Sequence, residues 1–123
     1  MKNHESEEMY LETILLLKGK NPSIHAIDIA GELGYAKSSV SRAVGLLRER
    51  GYINIGDGDE ITLTEKGLKK ATDVYERHRV ITGLFLKMGA DEKLAEENAC
   101  RIEHVISEEL FVLLKDYVEN LER

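Results

Sequence analysis

A turn-forming tetrapeptide, Gly56-Asp57-Gly58-Asp59, joins the two short segments of this sequence that have strand character, 52–55 and 60–63. Glycine and aspartate between two runs rich in β-branched residues favour a β-hairpin. Three stretches with apolar residues at helical spacing come before it, at 6–18, 23–33 and 37–49. Helices followed by a hairpin in this order predict a winged helix-turn-helix, which binds DNA in many proteins and only other proteins in some.

Good capping residues mark the helices of this sequence. Ser23 is the expected cap of the second helix. After the hairpin, three further helices each follow a capping residue: Thr64 before 65–88, Asp91 before 92–106, and Ser107 before 108–121. The predicted fold class is therefore mostly α, with a winged helix-turn-helix over 1–64 followed by an all-helical domain over 65–123.

Composition and charge predict a small helical protein of the cytoplasm. The 123 residues are 42% hydrophobic and 33% charged, and no apolar run approaches the roughly 20 residues of a membrane-spanning helix. The N-terminus begins no signal peptide, and the single cysteine, Cys100, excludes an intramolecular disulfide. The net charge of −6 argues against a nucleic-acid-binding surface over the whole protein, but the segment from Lys37 to Arg50 has a local charge of +3.

The third helix carries the residues that we expect to contact DNA. The N-terminal half of such a helix faces base edges and phosphates, which assigns this role to Ser38, Ser39, Ser41 and Arg42. Lys37 and Arg48 are expected phosphate contacts. An alternative for the serines is helix capping and solvation. No nucleophile arrangement or glycine-rich phosphate loop is recognisable, so we expect no enzyme, no small organic substrate and no membrane partner.

Potential metal ligands recur between positions 96 and 104: Glu96, Cys100, Glu103 and His104. Their offsets of 0, 4, 7 and 8 predict that they share one face of an α-helix, because residues three and four apart are neighbours there. A thiol, an imidazole and carboxylates together suit a first-row transition metal. Singly, a cysteine on an amphipathic helix is more often a small core residue. Further candidates are Met9, Glu12 and His78.

Five segments follow one another over nearly the whole chain: 8–14 (EMYLETI), 38–41 (SSVS), 63–67 (LTEKG), 77–79 (RHR) and 99–105 (ACRIEHV). Together they resemble the metal-dependent repressors of the diphtheria-toxin-repressor and manganese-transport-regulator family. The resemblance implies a homodimer that represses metal-uptake or metal-homeostasis genes, with Fe(II) or Mn(II) as co-repressor. It also implies that the helical second domain binds the metal and dimerises. We expect no SH3-like C-terminal domain, because the sequence ends soon after the last helix.

The same resemblance assigns the ligands. The primary metal site would comprise Met9, Cys100, Glu103 and His104, and a neighbouring site would involve His78 and Glu96. Met9 and Cys100 match the iron branch, whereas Glu12 matches a ligand of the manganese branch. Thr82 departs from the pattern, since the iron branch has a glutamate there.

Ligand chemistry makes Fe(II) the expected metal and Mn(II) the alternative, because sulfur ligands disfavour the harder Mn(II) ion. Zn(II), Ni(II) and Co(II) are expected to substitute in vitro. A homodimer is also expected because apolar residues of the second half exceed what one small chain buries easily, among them Leu84, Phe85, Leu110, Phe111 and Leu114. The alternative function is a winged-helix regulator that does not sense metal.

Overall fold

The computed structural model describes residues 2–121 of the chain, with side chains from Glu7 onward. The chain divides into two compact units, Met1–Thr72 and Asp73–Arg123, and the boundary between them falls within one long helix, α4 (Glu65–Lys87). In the described residues, no helix combines the length and apolar character needed to cross a membrane.

The first unit is a three-helix core with a hairpin, as the sequence predicts. It contains α1 (Lys2–Lys20), α2 (Ala26–Leu33) and α3 (Lys37–Glu49), followed by the strands β1 (Ile53–Ile55) and β2 (Ile61–Leu63) and the start of α4. Apolar side chains from all of these elements are buried together, among them Leu11, Ile14, Ile29, Val40, Val44, Leu47, Ile53 and Ile61. The predicted winged helix-turn-helix is confirmed.

The hairpin forms at the expected tetrapeptide. Strands β1 and β2 pair antiparallel with Asn54 opposite Thr62, and a short 3-10 turn spans Asp57–Asp59. Gly58 and Asp59 have φ values of 66° and 62°, in the left-handed region that glycine and aspartate tolerate best. The tip of the hairpin is consequently a short, acidic turn.

The predicted cap of the second helix, Ser23, is wrong, because His25 is the N-cap. Helix α2 begins at Ala26, where the carboxylate of Asp28 accepts a hydrogen bond from the His25 backbone N–H at 2.8 Å. The fully buried Ile24 lies outside the helix, because its carbonyl oxygen accepts a hydrogen bond from the Ile61 N–H of the hairpin at 2.9 Å. A long-range contact therefore delays the helix by two residues.

Helix α4 begins at the predicted cap. The Thr64 hydroxyl accepts a hydrogen bond from the Gly67 N–H at 3.0 Å and donates one to the Gly51 carbonyl at 2.6 Å. The first turn lies against the chain that leaves α3, so closely that a Cβ on Gly67 would sit 1.9 Å from the Tyr52 carbonyl oxygen. Glycine is thus required at position 67 for a close backbone approach.

The second unit contains the rest of α4 together with α5 (Glu92–Ile102) and α6 (Glu108–Leu121). The caps predicted for α5 and α6 are confirmed, since Asp91 accepts a hydrogen bond from Leu94 N–H and Ser107 accepts one from Leu110 N–H. Helix α5 ends four residues before the predicted Ile106, however, with Glu103 as its C-cap. His104 therefore lies in the turn after the helix, and the prediction of one continuous helical face from Glu96 to His104 is wrong.

The core of this unit centres on Ile81, Ala99 and Phe111. Of the apolar residues that we expected one chain not to bury easily, Phe111 is buried within this unit, at 4% exposed. Leu84, Phe85 and Leu114 are partly buried, whereas Leu110 on α6 is 54% exposed. An apolar surface nevertheless remains in the described part of the unit, because Met88 and Leu113 are 73% and 65% exposed.

Candidate metal centre and DNA-binding surface

Helices α4 and α5 bring three potential metal ligands together within the second unit: His78, Glu96 and Cys100. One ring nitrogen of His78, Nε2, lies 2.9 Å from a carboxylate oxygen of Glu96. The other, Nδ1, lies 3.9 Å from the sulfur of Cys100. One ligand atom from each residue falls within 4.8 Å of the others, close to the separation of atoms that bind a common ion at about 2.0–2.3 Å.

Glu103 and His104 lie beside this cluster in the turn after α5. An oxygen of Glu103 is 3.3 Å from His78 Nδ1, and its second oxygen is 3.6 Å from His104 Nε2. The guanidinium of Arg77 on α4 donates a hydrogen bond to the Glu103 backbone carbonyl at 2.7 Å. Arg77 thus fixes the turn that presents Glu103 and His104, a role that no local sequence pattern indicates.

The carboxylate of Glu103 is suited to a cation. The residue is 1% exposed, and its Oε2 atom, which lies 3.3 Å from His78 Nδ1, accepts no hydrogen bond from the described part of the chain. A buried carboxylate normally has hydrogen-bond partners, so such an oxygen is a natural metal ligand. The nearby nitrogen and sulfur atoms complete a donor set that fits Fe(II), Co(II) or Zn(II). The residues present therefore fit a transition-metal ion.

Thr82 lies one turn after His78 on α4. Its hydroxyl oxygen is buried and has no hydrogen-bond partner among the described residues. A hydroxyl is a weaker metal ligand than the glutamate that the resemblance implies for the iron branch at this position. In this chain the carboxylates beside His78 instead come from Glu96 of α5 and from Glu103 in the turn after it.

The other two sequence-predicted ligands, Met9 and Glu12, belong to α1 in the first unit. Both side chains are half-buried. The Met9 sulfur accepts a hydrogen bond from the Tyr35 hydroxyl at 3.7 Å, and the ring of Tyr35 makes an edge contact with Tyr10. Tyr35 stands two residues before α3, so Met9 is linked to the start of that helix.

All six residues that the sequence assigns to DNA contact are exposed on or near α3: Lys37, Ser38, Ser39, Ser41, Arg42 and Arg48. Val40, Val44 and Leu47 hold the opposite face of the helix in the core. The exposed face is therefore available to a ligand, and its basic residues suit phosphate groups. The adjacent hairpin tip is acidic and would repel phosphates.

An ion cluster that the sequence did not indicate surrounds Glu7 of α1. Its side chain is 6% exposed and forms ion pairs with Arg50, the C-cap of α3, and with Lys70 of α4 at 3.3 Å. Burial alone would raise the pKa of Glu7, but the hydrogen bonds and charges of Arg50 and Lys70 outweigh burial and lower it. Burial alone would likewise lower the pKa of Lys70, but hydrogen bonds to Tyr52 and Glu7 raise it.

Comparisons with known proteins agree with this architecture. Residues 3–57 match the N-terminal DNA-binding domain of iron-dependent repressors, and residues 64–123 match their metal-binding and dimerisation domain. A helix-turn-helix-type transcriptional regulator of Methanocaldococcus jannaschii, itself uncharacterised, is 37% identical over 94% of each chain. The diphtheria toxin repressor of Corynebacterium diphtheriae is 31% identical over 91% of this chain and 52% of its own length.

A solved structure of the manganese regulator SloR shares the fold, with a TM-score of 0.82 and 24% identity over 92% of this chain and 53% of the SloR chain. This chain thus spans about half the length of several characterised relatives. The two domain matches cover almost all of it, in the order in which the two units occur. The chain therefore belongs to the family of metal-dependent, DNA-binding repressors that includes the diphtheria toxin repressor.

Proposed function

We propose that this protein is a homodimeric repressor that binds operator DNA when Fe(II), or alternatively Mn(II), occupies its metal centre. It would control metal-uptake or metal-homeostasis genes. The observation that supports the proposal best is the buried Glu103 carboxylate, which has one oxygen without a hydrogen bond and lies beside His78. Burying an acceptor without a hydrogen bond costs free energy, and a bound cation would offset that cost.

The proposed ligands are those that the family resemblance implies, and the contacts of His78 with Glu96, Cys100 and Glu103 support them. In the second unit we assign Cys100, Glu103 and His104 to the primary ion, and His78 and Glu96 to a neighbouring one. On the resemblance alone, Met9 and Glu12 are the ligands from α1. Residues 1–64 would then bind DNA, and residues 65–123 would bind the metal and dimerise.

The donor set supports iron over manganese. Two sulfur ligands, Met9 and Cys100, disfavour the hard Mn(II) ion relative to Fe(II), and they also accommodate Co(II), Ni(II) and Zn(II). Relatives named for iron and for manganese both occur, so the family alone does not decide the metal. Metal availability in the cell would then select Fe(II) over the tighter-binding Ni(II) and Zn(II).

The metal would act by shifting a conformational equilibrium. A bound ion would supply positive charge that neutralises carboxylates which otherwise repel one another. On the family resemblance, Met9 and Glu12 of α1 would share that ion with the ligands of the second unit, which would favour one arrangement of the two recognition helices on DNA. Arg42 and the serines at the start of α3 would contact bases and phosphates, and Lys37 and Arg48 would contact phosphates.

The dimer surface is proposed on the second unit. An open apolar pocket of about 440 Å³ there is lined by Phe85, Met88, Gly89, Ala90, Leu94 and Asn98. The family match assigns dimerisation to residues 64–123. A second copy of the chain would cover this pocket and pair two recognition helices for a two-fold symmetric operator.

The deciding experiment measures DNA binding with Fe(II), Mn(II), Co(II) and Zn(II) under anaerobic conditions, each with and without a chelator. The probe is a duplex selected for binding to the wild-type protein from a random library in the presence of Mn(II) and, separately, of chelator. His104→Ala should abolish the response to every metal, whereas His25→Ala, which lies in the first unit, should retain it. Equal binding with and without chelator would instead identify a regulator that does not sense metal.

Metal preference is tested by exchanging the sulfur ligands. Met9→Asp combined with Cys100→Glu replaces two soft donors with oxygens and should move the preference from Fe(II) or Co(II) towards Mn(II). The measurement is the metal concentration that gives half-maximal DNA binding for each ion. If the ratio of the half-maximal concentrations of Mn(II) and Co(II) is unchanged, neither sulfur atom is a ligand at the proposed site.

A further inference from the structure

The first turns of α1 hold both ends of helix α3. At the N-terminal end of α3, the Tyr35 hydroxyl donates a hydrogen bond to the Met9 sulfur. At its C-terminal end, the guanidinium of Arg50 pairs with the carboxylate of Glu7. Met9 and Glu7 are only two residues apart. The helix proposed to read DNA is thus attached at both of its ends to one short segment of α1.

Glu7 makes the stronger of these two attachments. One carboxylate oxygen contacts Arg50 and the other contacts Lys70, whose ammonium group also donates a hydrogen bond to the Tyr52 hydroxyl at 3.4 Å. Because the Glu7 side chain is 6% exposed, little water is available to replace either partner. A buried carboxylate that loses its counter-charge is strongly unfavourable, so α1, the end of α3 and the start of α4 are constrained to move together.

We propose that Glu7 is a positioning residue that couples metal binding on α1 to the recognition helix α3 through Arg50. The inference rests on the proposed function, because it takes Met9 and Glu12 as metal ligands. Those residues follow Glu7 by two and five positions on the same continuous helix. Ordering or displacement of this helical segment by the metal reaches the end of α3 directly, through the Glu7–Arg50 ion pair.

The measurable quantity is the coupling factor, defined as the ratio of DNA affinity with saturating Mn(II) to DNA affinity in chelator. By linkage, DNA raises the affinity for Mn(II) by the same factor. A purely structural ion pair would change the melting temperature and leave this ratio intact. A contact of Arg50 with a DNA phosphate would also leave the coupling factor unchanged, because it would affect the DNA affinity equally with Mn(II) and in chelator.

The experiment compares Glu7→Gln, Arg50→Gln and the double variant with the wild type, using the selected duplex and Mn(II). Each single variant should lower the coupling factor at least tenfold, and the double variant should lower it no further, since both changes break the same contact. Glu60→Gln is the matched control. It removes the ion pair that Lys18, at the other end of α1, forms with the hairpin at 3.8 Å, and it should leave the factor within twofold of wild type.

The outcomes separate this inference from the proposed function. A wild-type coupling factor near one refutes the proposed function itself. A large wild-type factor that Glu7→Gln leaves within twofold overturns only the role of Glu7, as would single-variant losses that add in the double variant. If circular dichroism shows that Glu7→Gln does not fold, the coupling factor of Arg50→Gln tests the proposal instead. An unchanged coupling factor in that variant overturns the proposal.

Discussion

Replacing Glu103 with glutamine should stabilise the metal-free protein and remove most of the stabilisation that a bound metal gives. The carboxylate is 1% exposed, and its nearest nitrogen atoms are those of His78 at 3.3 Å and His104 at 3.6 Å. Both distances exceed the roughly 2.7–2.9 Å of a charge-assisted hydrogen bond. In the metal-free protein, these contacts do not compensate for removing the carboxylate from water.

Glutamine has nearly the same volume and carries no charge. Removing a buried negative charge that its neighbours do not fully compensate should raise the unfolding free energy in chelator by about 1–3 kcal/mol. Mn(II) at about 100 times its dissociation constant should stabilise the wild type by roughly 2.7 kcal/mol. The variant should gain little from the metal because it lacks the buried ligand, so the difference between the two proteins should shrink or reverse when Mn(II) is added.

Urea unfolding followed by circular dichroism, at one protein concentration, measures both differences. Glu76→Gln is the control, because Glu76 lies in the same unit outside the proposed metal site, its side chain is 43% exposed, and its ion pair with Lys115 should contribute at most about 1 kcal/mol. A Glu103→Gln variant that is destabilised by more than about 1 kcal/mol in chelator would refute this reasoning. Glu103 would then be a structural partner of the two histidines, and its orphan oxygen would be no sign of a metal.

Three further changes test the fold and the DNA-binding surface. Gly67→Ala should lower the unfolding free energy by about 1–3 kcal/mol in a urea titration, because its Cβ would meet the Tyr52 carbonyl oxygen at 1.9 Å. Gly83→Ala on the same helix is the control. Its Cβ meets no atom within 4 Å, so the change should be neutral or stabilising. Arg42→Ala should weaken specific DNA binding by roughly 1–3 kcal/mol if the Arg42 side chain contacts a base edge. If that side chain contacts only phosphate, the variant should instead lower by about one the slope of the logarithm of the binding constant against the logarithm of the salt concentration. Unchanged binding would exclude Arg42 from the interface. Folding raises the pKa of Lys70 above 10.5, so the stabilisation that protonated Lys70 gives the folded protein is complete below that pH and is lost as the pH rises through the pKa of the folded state. Lys70→Met should therefore flatten the fall of the unfolding free energy at alkaline pH. An identical pH dependence in wild type and variant would contradict this.

Features fixed by neighbouring residues were predictable from the sequence. The caps at Thr64, Asp91 and Ser107 each involve a partner three residues along the chain, and the structure has all three. The hairpin likewise depends on a local turn. The start of α2 could not be predicted in this way, because it depends on a hydrogen bond from Ile61 to Ile24, which lie in separate elements.

The candidate site shows the same division. Sequence spacing identified Cys100, Glu103 and His104 as candidates, and the structure adds which atoms meet, such as Cys100 with one ring nitrogen of His78. That pairing depends on how α4 packs against α5. The contact of Glu7 with Arg50 joins residues 43 positions apart. Nothing in the sequence around either residue indicates that the two side chains meet.

Cys100 is exposed, whereas Glu103, three residues later, is buried. Exchange of Cys100 for another donor therefore disturbs little of the protein interior, while exchange of Glu103 alters the balance of charge inside the second unit. With Cys100 as a proposed ligand, an exchange of its sulfur for an oxygen donor would leave the fold intact. In a lineage of such proteins, the choice of metal would thus change readily at the surface, while the requirement for a metal would persist in the core.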